Sequence, residues 1–308
     1  MNTSIENRLI WLNGELVHLP DAKINVLSPT SQFGANVFEG IRCYWNEQRQ
    51  QLYAFRLDAH YRRLEESIKL FRIKSKYTAG DFTQALLEVV RANDYREDIA
   101  VRQTVFLDGF GTWSSKEPVG MFVAPIPKQR IEYDENTGLT CGISSWQRIS
   151  DRNLSPRAKV GANYINSRMA QLEAVEHGYQ TAILLNEQGK VAEGPGSCLF
   201  MVRGARLVTP PLTASILDSI TRKTLIELAE AELQLEVMER DIDRTELYLA
   251  DEVFLCGSAM EVTPVRAVDG YVIGNGVIGK ITSKLHDIYM QAVTGELSAY
   301  MDWLYPVY

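Results

Sequence analysis

The sequence predicts an α/β (α+β) protein of two domains, and three observations carry that expectation. Short β-prone runs alternate with helical patterns along the chain. The 308 residues are about twice the size of an ordinary single domain. A polar, proline-bearing stretch, APIPKQRIEYDENTG, interrupts the pattern and reads as a linker. The expected organisation is a small N-terminal domain at 1–124, a linker at 125–137 and a larger domain at 138–308.

Taken in order, LIWLNGEL, GIRCYWN, QLYAFRL, IAVRQTVFL and GMFVAPI are strand-like in the first part. Two helices lie among them. In HYRRLEESIKLF, Tyr61, Leu64, Ile68 and Phe71 recur at helical spacing. In DFTQALLEVVRAND, Phe82, Ala85, Leu86, Val89 and Val90 do the same, with Asp81 as the expected N-cap. Beyond the linker, LTCGISSW reads as a strand and NYINSRMAQLEAVEHG as a helix ended by Gly178. TAILL, NEQG and KVAEG follow as strand, turn and strand, then SCLFMV and ARLVTP. SITRKTLIELAEAEL is a regular helix with Ser219 as N-cap, and DEVFLCGS is a further strand.

Composition narrows the function. Hydrophobic residues at 45% and charged residues at 23% describe a globular chain. A net charge of −7 argues against a general nucleic-acid binder, which needs a basic face. The four cysteines, Cys43, Cys141, Cys198 and Cys256, form no Cys-x-x-Cys pair, which suits a reducing compartment and no structural zinc. No stretch approaches the roughly 18 apolar residues of a membrane span, and MNTSIENRLI has no basic segment followed by an apolar run. A cytoplasmic location with no membrane and no nucleic-acid partner is expected.

Several catalytic motifs are missing. The four histidines form no HExxH pair, and neither a Gly-x-Ser-x-Gly elbow nor a P-loop occurs. The run from Gly274 through Gly276 to Gly279 has dinucleotide-fingerprint spacing, but it follows DGYVI near the end of the chain rather than opening a βαβ unit, and reads as a surface turn. A lysine-centred set remains. Lys159 in SPRAKVGANY is flanked by small residues; partly buried, it would be a Schiff-base nucleophile, while taken alone it reads rather as a solvated loop lysine. Glu193 lies in the tight turn EGPGS, either as a structural carboxylate or as a partner for a protonated heterocyclic nitrogen. Ile220 and Thr221 open a helix whose free N–H groups suit a phosphate.

In this order and spacing, VFEGIRCY, FRLDAHYRRL, AKVGANYINS with HGYQTAILL, EGPG with LF, TPP, ITR, LYLADEVF and EVTPVRAVDG resemble the branched-chain aminotransferase-like members of the class IV, fold-type IV, pyridoxal-phosphate (PLP) enzymes. The resemblance runs through most of the chain. It implies a small N-terminal α/β domain and a larger C-terminal domain with a barrel-like β core and flanking helices. It implies PLP held by Lys159 as Schiff-base lysine, with Glu193 on the pyridine nitrogen, Tyr164 on the phenolic oxygen, and Arg63, Ile220, Thr221 and Ser258 on the phosphate. Gly196 and Leu217 would complete the cofactor site, and Phe33, Phe38, Ala100, Arg102, Ser258 and Ala259 would meet the substrate. No metal is implied. The reaction implied is ping-pong transfer of an amino group from an L-amino acid to a 2-oxo acid such as 2-oxoglutarate, in a homodimer or higher homo-oligomer. A D-amino acid or (R)-amine transaminase and an aminodeoxychorismate-lyase-like enzyme are alternatives on the same fold.

The sequence departs from the family at its substrate positions. Members that take branched-chain substrates usually have tyrosine where Phe33 stands and Tyr-x-Arg where Ala100, Val101 and Arg102 stand. Ser197 and Cys198 replace a Glu-Asn pair, and Ser258 replaces a threonine. Loss of two pocket hydroxyls, with space opened at Ala100, predicts a donor that is branched-chain-like or bulkier.

Overall fold

The computed structural model describes residues 7–132 and 137–308. Residues 133–136, part of the expected linker, lie outside the described residues. The chain forms two compact units. One comprises residues up to Gln129 with Ala158–Ala162 and Ala292–Tyr308, and the other comprises Arg130–Arg157 with Asn163–Gln291.

In the first unit, β1 (Leu9–Leu12) and β2 (Glu15–His18) form a hairpin inside the run LIWLNGEL. Asn13 and Gly14 both take positive φ at its turn, which is the conformation an Asn-Gly pair favours between two strands. β3 (Asn36–Asn46), β4 (Gln51–Phe55), β5 (Ile99–Leu107), β6 (Val119–Pro127) and β15 (Leu304–Pro306) complete a seven-stranded sheet. Its order is β15-β4-β3-β5-β6-β1-β2, antiparallel throughout. The terminal strand β15 is what joins residues 292–308 to this unit.

β6 runs on through Pro125 and Pro127, so the start of the expected linker is strand. The prolines are tolerated because β1 pairs only with Phe122 and Val123, which leaves the last residues of β6 at an edge where no second neighbour needs their missing N–H. Helices α2 (Leu57–Leu70) and α3 (Ala79–Asn93) pack on this sheet after the short α1 (Pro29–Phe33). Leu64, Phe82, Leu86, Val89 and Val90 bury against Val37, Ile41, Ile99, Val101 and Val105.

The expected N-cap of α3 is corrected. Thr78 caps the helix, and Asp81 is its third residue, whose carboxylate accepts the Thr78 N–H in a reciprocal capping box.

In the second unit, β7 (Leu139–Ile143), β8 (Thr181–Ile183), β9 (Cys198–Arg203), β10 (Arg206–Thr209), β11 (Val237–Glu239), β12 (Glu252–Gly257) and β13 (Glu261–Val268) run in the order β11-β10-β9-β12-β13-β7-β8, with β14 (Tyr271–Val272) on β13. The path has two free ends, and the stretch 190–193 links them. Leu184 N–H donates to Glu193 O and Ala192 N–H to Leu184 O beyond β8, while Val191 N–H donates to Ile242 O beyond β11. The β core is thereby barrel-like. Its interior holds Cys141, Ile183, Leu199, Met201, Val253, Leu255 and Val265.

α4 (Tyr164–Glu176) packs on β7 and β8, and α5 (Ile220–Leu233) on β11 and β12. Ser219 caps α5 as expected, its Oγ accepting the Arg222 N–H at 3.3 Å. The glycine run is a turn between β14 and α7 (Lys280–Thr294), with Gly274 and Gly276 at positive φ. β14 is antiparallel to β13, so no βαβ unit exists there to hold a dinucleotide. Among the described residues, no helix is long and apolar enough to cross a membrane, and no group of three or more metal-ligating side chains converges.

Replacing Thr78 by alanine removes one half of the α3 capping box. Urea denaturation of the variant is expected to show a loss of about 1 kcal/mol in stability, with an unchanged denaturant slope.

Candidate active site

In the first unit the site grows from one pleat of β3. Phe38 and Glu39 are neighbours on a strand, so their side chains leave on opposite faces. On one face, the Phe38 ring carries two cations, the Arg102 guanidinium at 3.2 Å from the ring centroid and the Lys159 Nζ at 5.0 Å. Arg102 and Ala100 lie two apart on β5 and share this face, while Ile99, Val101 and Val105 alternate with them into the core. Phe33, at the end of α1, is 44% exposed and meets Trp113 edge-on at 6.0 Å.

Lys159 is held by its backbone. Its carbonyl accepts the Phe38 N–H at 3.0 Å, its own N–H donates to Ser67 Oγ on α2 at 3.0 Å, and Val160 bridges to Val37. The chain can lie this close to β3 because residue 161 is glycine, where a Cβ would stand 2.5 Å from Asn36 Oδ1. Lys159, given from sequence as a short link, is therefore an added rung beside the central strand.

On the other face, Glu39 is fully buried among charged partners. Its Oε1 accepts from Arg63 Nε at 2.8 Å, its Oε2 from Arg63 Nη2 at 2.6 Å, and the same Oε2 lies 2.7 Å from His60 Nδ1. Burial alone would favour the neutral acid, but Arg63 and then His60 hold the Glu39 carboxyl well below its usual range. Burial also lowers the His60 value, with Glu39 opposing. Arg63, expected on a phosphate, is thus placed by a bidentate ion pair to Glu39. Neither Glu39 nor His60 was assigned from sequence, although both lie inside the VFEG and HYRR blocks.

In the second unit Glu193 is the centre. It sits on the barrel-closing stretch, is 4% exposed, and accepts on both oxygens. Arg148 Nε donates to Oε1 at 2.6 Å, while Leu217 N–H at 3.2 Å and Cys198 Sγ at 3.7 Å approach Oε2. Burial pushes the Cys198 thiol up to about 12, so it remains a neutral donor. Two residues past Leu217, Ser219 opens α5, and the N–H groups of Ile220 and Thr221 have no hydrogen-bond partner among the described residues.

The pairing of β9 with β12 sets Cys198 opposite Cys256 and brings Gly257 beside Gly196 and Ser197. Ser258 and the exposed Ala259 then form the turn into β13. Glu193, Gly196, Leu217, Ile220, Thr221 and Ser258 are accordingly gathered around one end of the barrel. Tyr164, half-buried, opens α4 in the same unit. Arg148 was missed from sequence because SSWQRIS carries no local pattern, and Glu193 is 45 residues away.

One unit thus carries a backbone-braced lysine, and the other a buried carboxylate near a helix whose first two N–H groups have no hydrogen-bond partner among the described residues. Residues 36–268 match the family Amino-transferase class IV, and the chain belongs to that family. It is 39% identical over 299 residues to the probable branched-chain-amino-acid aminotransferase of Aquifex aeolicus, covering 97% of this chain and 96% of that one. Its fold matches the branched-chain amino acid aminotransferase of Thermobaculum terrenum in its PLP form, with a TM-score of 0.90 at 42% identity over 99% of this chain and 100% of that one. It also matches the branched-chain aminotransferase of the thermophilic archaeon Thermoproteus uzoniensis with norvaline, with a TM-score of 0.91 at 40% identity over 98% of this chain and 99% of that one. The chain is an enzyme, a transferase of fold type IV.

The acid limb of stability follows from the Glu39 cluster. Both Glu39 and His60 sit below their ordinary values of 4.5 and 6.5, so the unfolded chain binds more protons and stability falls as pH falls. The loss is expected to begin below about pH 6.5 through His60 and to continue below about 4.5 through Glu39. In urea titrations across this range, Glu39→Gln should flatten the lower part of the slope and be less stable than the parent at pH 7.

Proposed function

We propose that the protein is a PLP-dependent transaminase moving an amino group from a branched-chain-like or bulkier hydrophobic L-amino acid to a 2-oxo acid, with 2-oxoglutarate as acceptor. The observation that carries the cofactor is the donor set of the second unit. A buried carboxylate, Glu193, suits a protonated ring nitrogen, and the partnerless amides of Ile220 and Thr221 at a capped 14-residue helix suit a phosphate. Gly196 has no atom within 4 Å of where a Cβ would stand, which leaves its backbone open to a flat ring.

Bound PLP supplies an electron sink for the Cα–H bond of the amino donor. Lys159 would hold the cofactor through Nζ, and its amine, when free, would be the base for the substrate Cα proton. Glu193 would pair with the protonated ring nitrogen, and the Tyr164 hydroxyl would donate to the ring oxygen. In the second unit the Ile220 and Thr221 amides and Ser258 would meet the phosphate, with Leu217 and Gly196 beside the ring. Arg63 of the first unit, itself oriented by Glu39, is the further phosphate group that the resemblance implies. Arg102 binds a substrate carboxylate, supported by its exposed guanidinium on Phe38.

Phe33, Phe38 and Ala100 in the first unit, and Ala259 in the second, are the residues that the resemblance assigns to the substrate side chain. Phe33 faces Trp113 without a hydroxyl, and Ala100 adds no bulk beside Arg102 on β5. Both features favour apolar volume over hydrogen bonding. The same roles suit a homodimer or higher homo-oligomer working in the cytoplasm on small molecules.

The reading is tested by visible absorbance of the PLP-loaded protein mixed with single donors. L-branched-chain and L-aromatic acids are expected to discharge the cofactor band, and 2-oxoglutarate to restore it. Lys159→Ala is expected to lower the half-reaction rate by about 10²–10⁴-fold. Discharge by D-alanine or (R)-1-phenylethylamine alone would assign the opposite chirality and overturn the reading.

A further inference from the structure

We propose that Arg148 is a positioning residue that fixes the Glu193 carboxylate in direction and pairs with it in the absence of water, so that Glu193 can meet the ring nitrogen of the cofactor. This rests on the assignment of Glu193 to that nitrogen.

The pair is built into the barrel closure. Arg148 N–H donates to Leu185 O at 2.8 Å, and Leu184 N–H donates to Glu193 O at 2.9 Å. The backbones carrying the guanidinium and the carboxylate are therefore fastened to two consecutive residues. Both side chains are shielded from water, at 8% and 6% exposure, and meet at 2.6 Å. The contact uses Nε on one carboxylate oxygen, leaving Oε2 to the weaker Leu217 and Cys198 donors.

A buried ion pair is seldom the cheapest way to fill such a space, since apolar residues of similar volume are often as stable. Here the arrangement carries a further cost, because Arg148 Nη1 is buried without a hydrogen-bond partner among the described residues. A group kept at that cost, touching the one buried carboxylate of the donor set, points to chemistry rather than packing. The physical role is specific. At 4% exposure a carboxylate that loses its cation has no water to take the cation's place, so its direction toward the ring is lost. Arginine suits the task because its planar guanidinium presents directed donors to a carboxylate.

The test compares Arg148→Met, Arg148→Lys, Glu193→Gln and the double variant Arg148→Met with Glu193→Gln, each loaded with PLP. Circular dichroism checks folding. The readouts are the pH titration of the bound cofactor's absorbance and the single-turnover rate with one amino donor as a function of pH.

Arg148→Met is expected to lose about 10- to 100-fold in rate near neutrality, the scale of one hydrogen bond to a charged group, and to change the pH dependence of both profiles. Arg148→Lys, which keeps the charge, should stay closer to the parent in both. In the Glu193→Gln background, adding Arg148→Met should change neither profile, because the arginine acts through the carboxylate.

A folded Arg148→Met with parental profiles overturns the proposal, as does an equal loss in the two backgrounds. If Arg148→Met does not fold, Arg148→Gln and Arg148→Lys are compared, and identical profiles in that pair overturn it. A Glu193→Gln protein with the parental rate would instead remove the assignment of Glu193 itself, whatever Arg148 does.

Discussion

The run of backbone hydrogen bonds through residues 184–193 and on to Ile242 is the constraint from which the second unit's chemistry follows. It links the two ends of the β path and so encloses the core of Leu199, Met201, Val253 and Leu255. It also sets Glu193 where the strand turns, with its side chain withdrawn from water. Every polar feature of the donor set refers back to that carboxylate. Leu217 N–H and Cys198 Sγ point at it, Arg148 neutralises it, and α5 begins three residues past Leu217. Were the stretch free to move, a desolvated carboxylate and a bare helix N-terminus would have no fixed spacing.

The first unit solves a related problem with a different device. There the pleat of β3 separates two charged assemblies that would interfere on one face. Glu39, Arg63 and His60 occupy the buried side as a compact, hydrogen-bonded cluster. Arg102 and Lys159 occupy the other, where the face of Phe38 accepts both cations. A cation over an aromatic face is directed by the ring's electron density. The lysine owes its position to main-chain bonds from Phe38 and Ser67 and to the absence of a side chain at Gly161.

The residues proposed for substrate preference and those proposed for the cofactor sit, Ser258 apart, in different structural settings. The residues proposed for the cofactor hang on backbone geometry and buried ion pairs, which tolerate little change. Phe33 and Ala100 hang on partly exposed surface, where loss of a hydroxyl or of bulk leaves the sheet undisturbed. The departures from the branched-chain pattern fall largely where the fold permits them. Ser197 and Cys198 are the exceptions, both buried, and Cys198 lies between Glu193 and Leu217 as a neutral donor.

By itself the sequence determined many of the strands and helices, although KVAEG forms only isolated bridges at Lys190 and Val191 and not a strand. It also gave the helix α5 with its Ser219 cap and the Gly178 stop, and it singled out Lys159, Glu193, Tyr164 and Arg63 as a set in one order. Those features are local or are carried by contiguous blocks, so periodicity, capping chemistry and resemblance suffice to read them. Tertiary structure alone decided that Pro125 and Pro127 continue a strand, and that 158–162 and 292–308 group with the first unit. It alone joined Arg148 to Glu193 and Glu39 to Arg63. Those pairings span 45 and 24 residues, and no spacing rule links an arginine to its carboxylate when burial, not sequence proximity, makes the pair necessary.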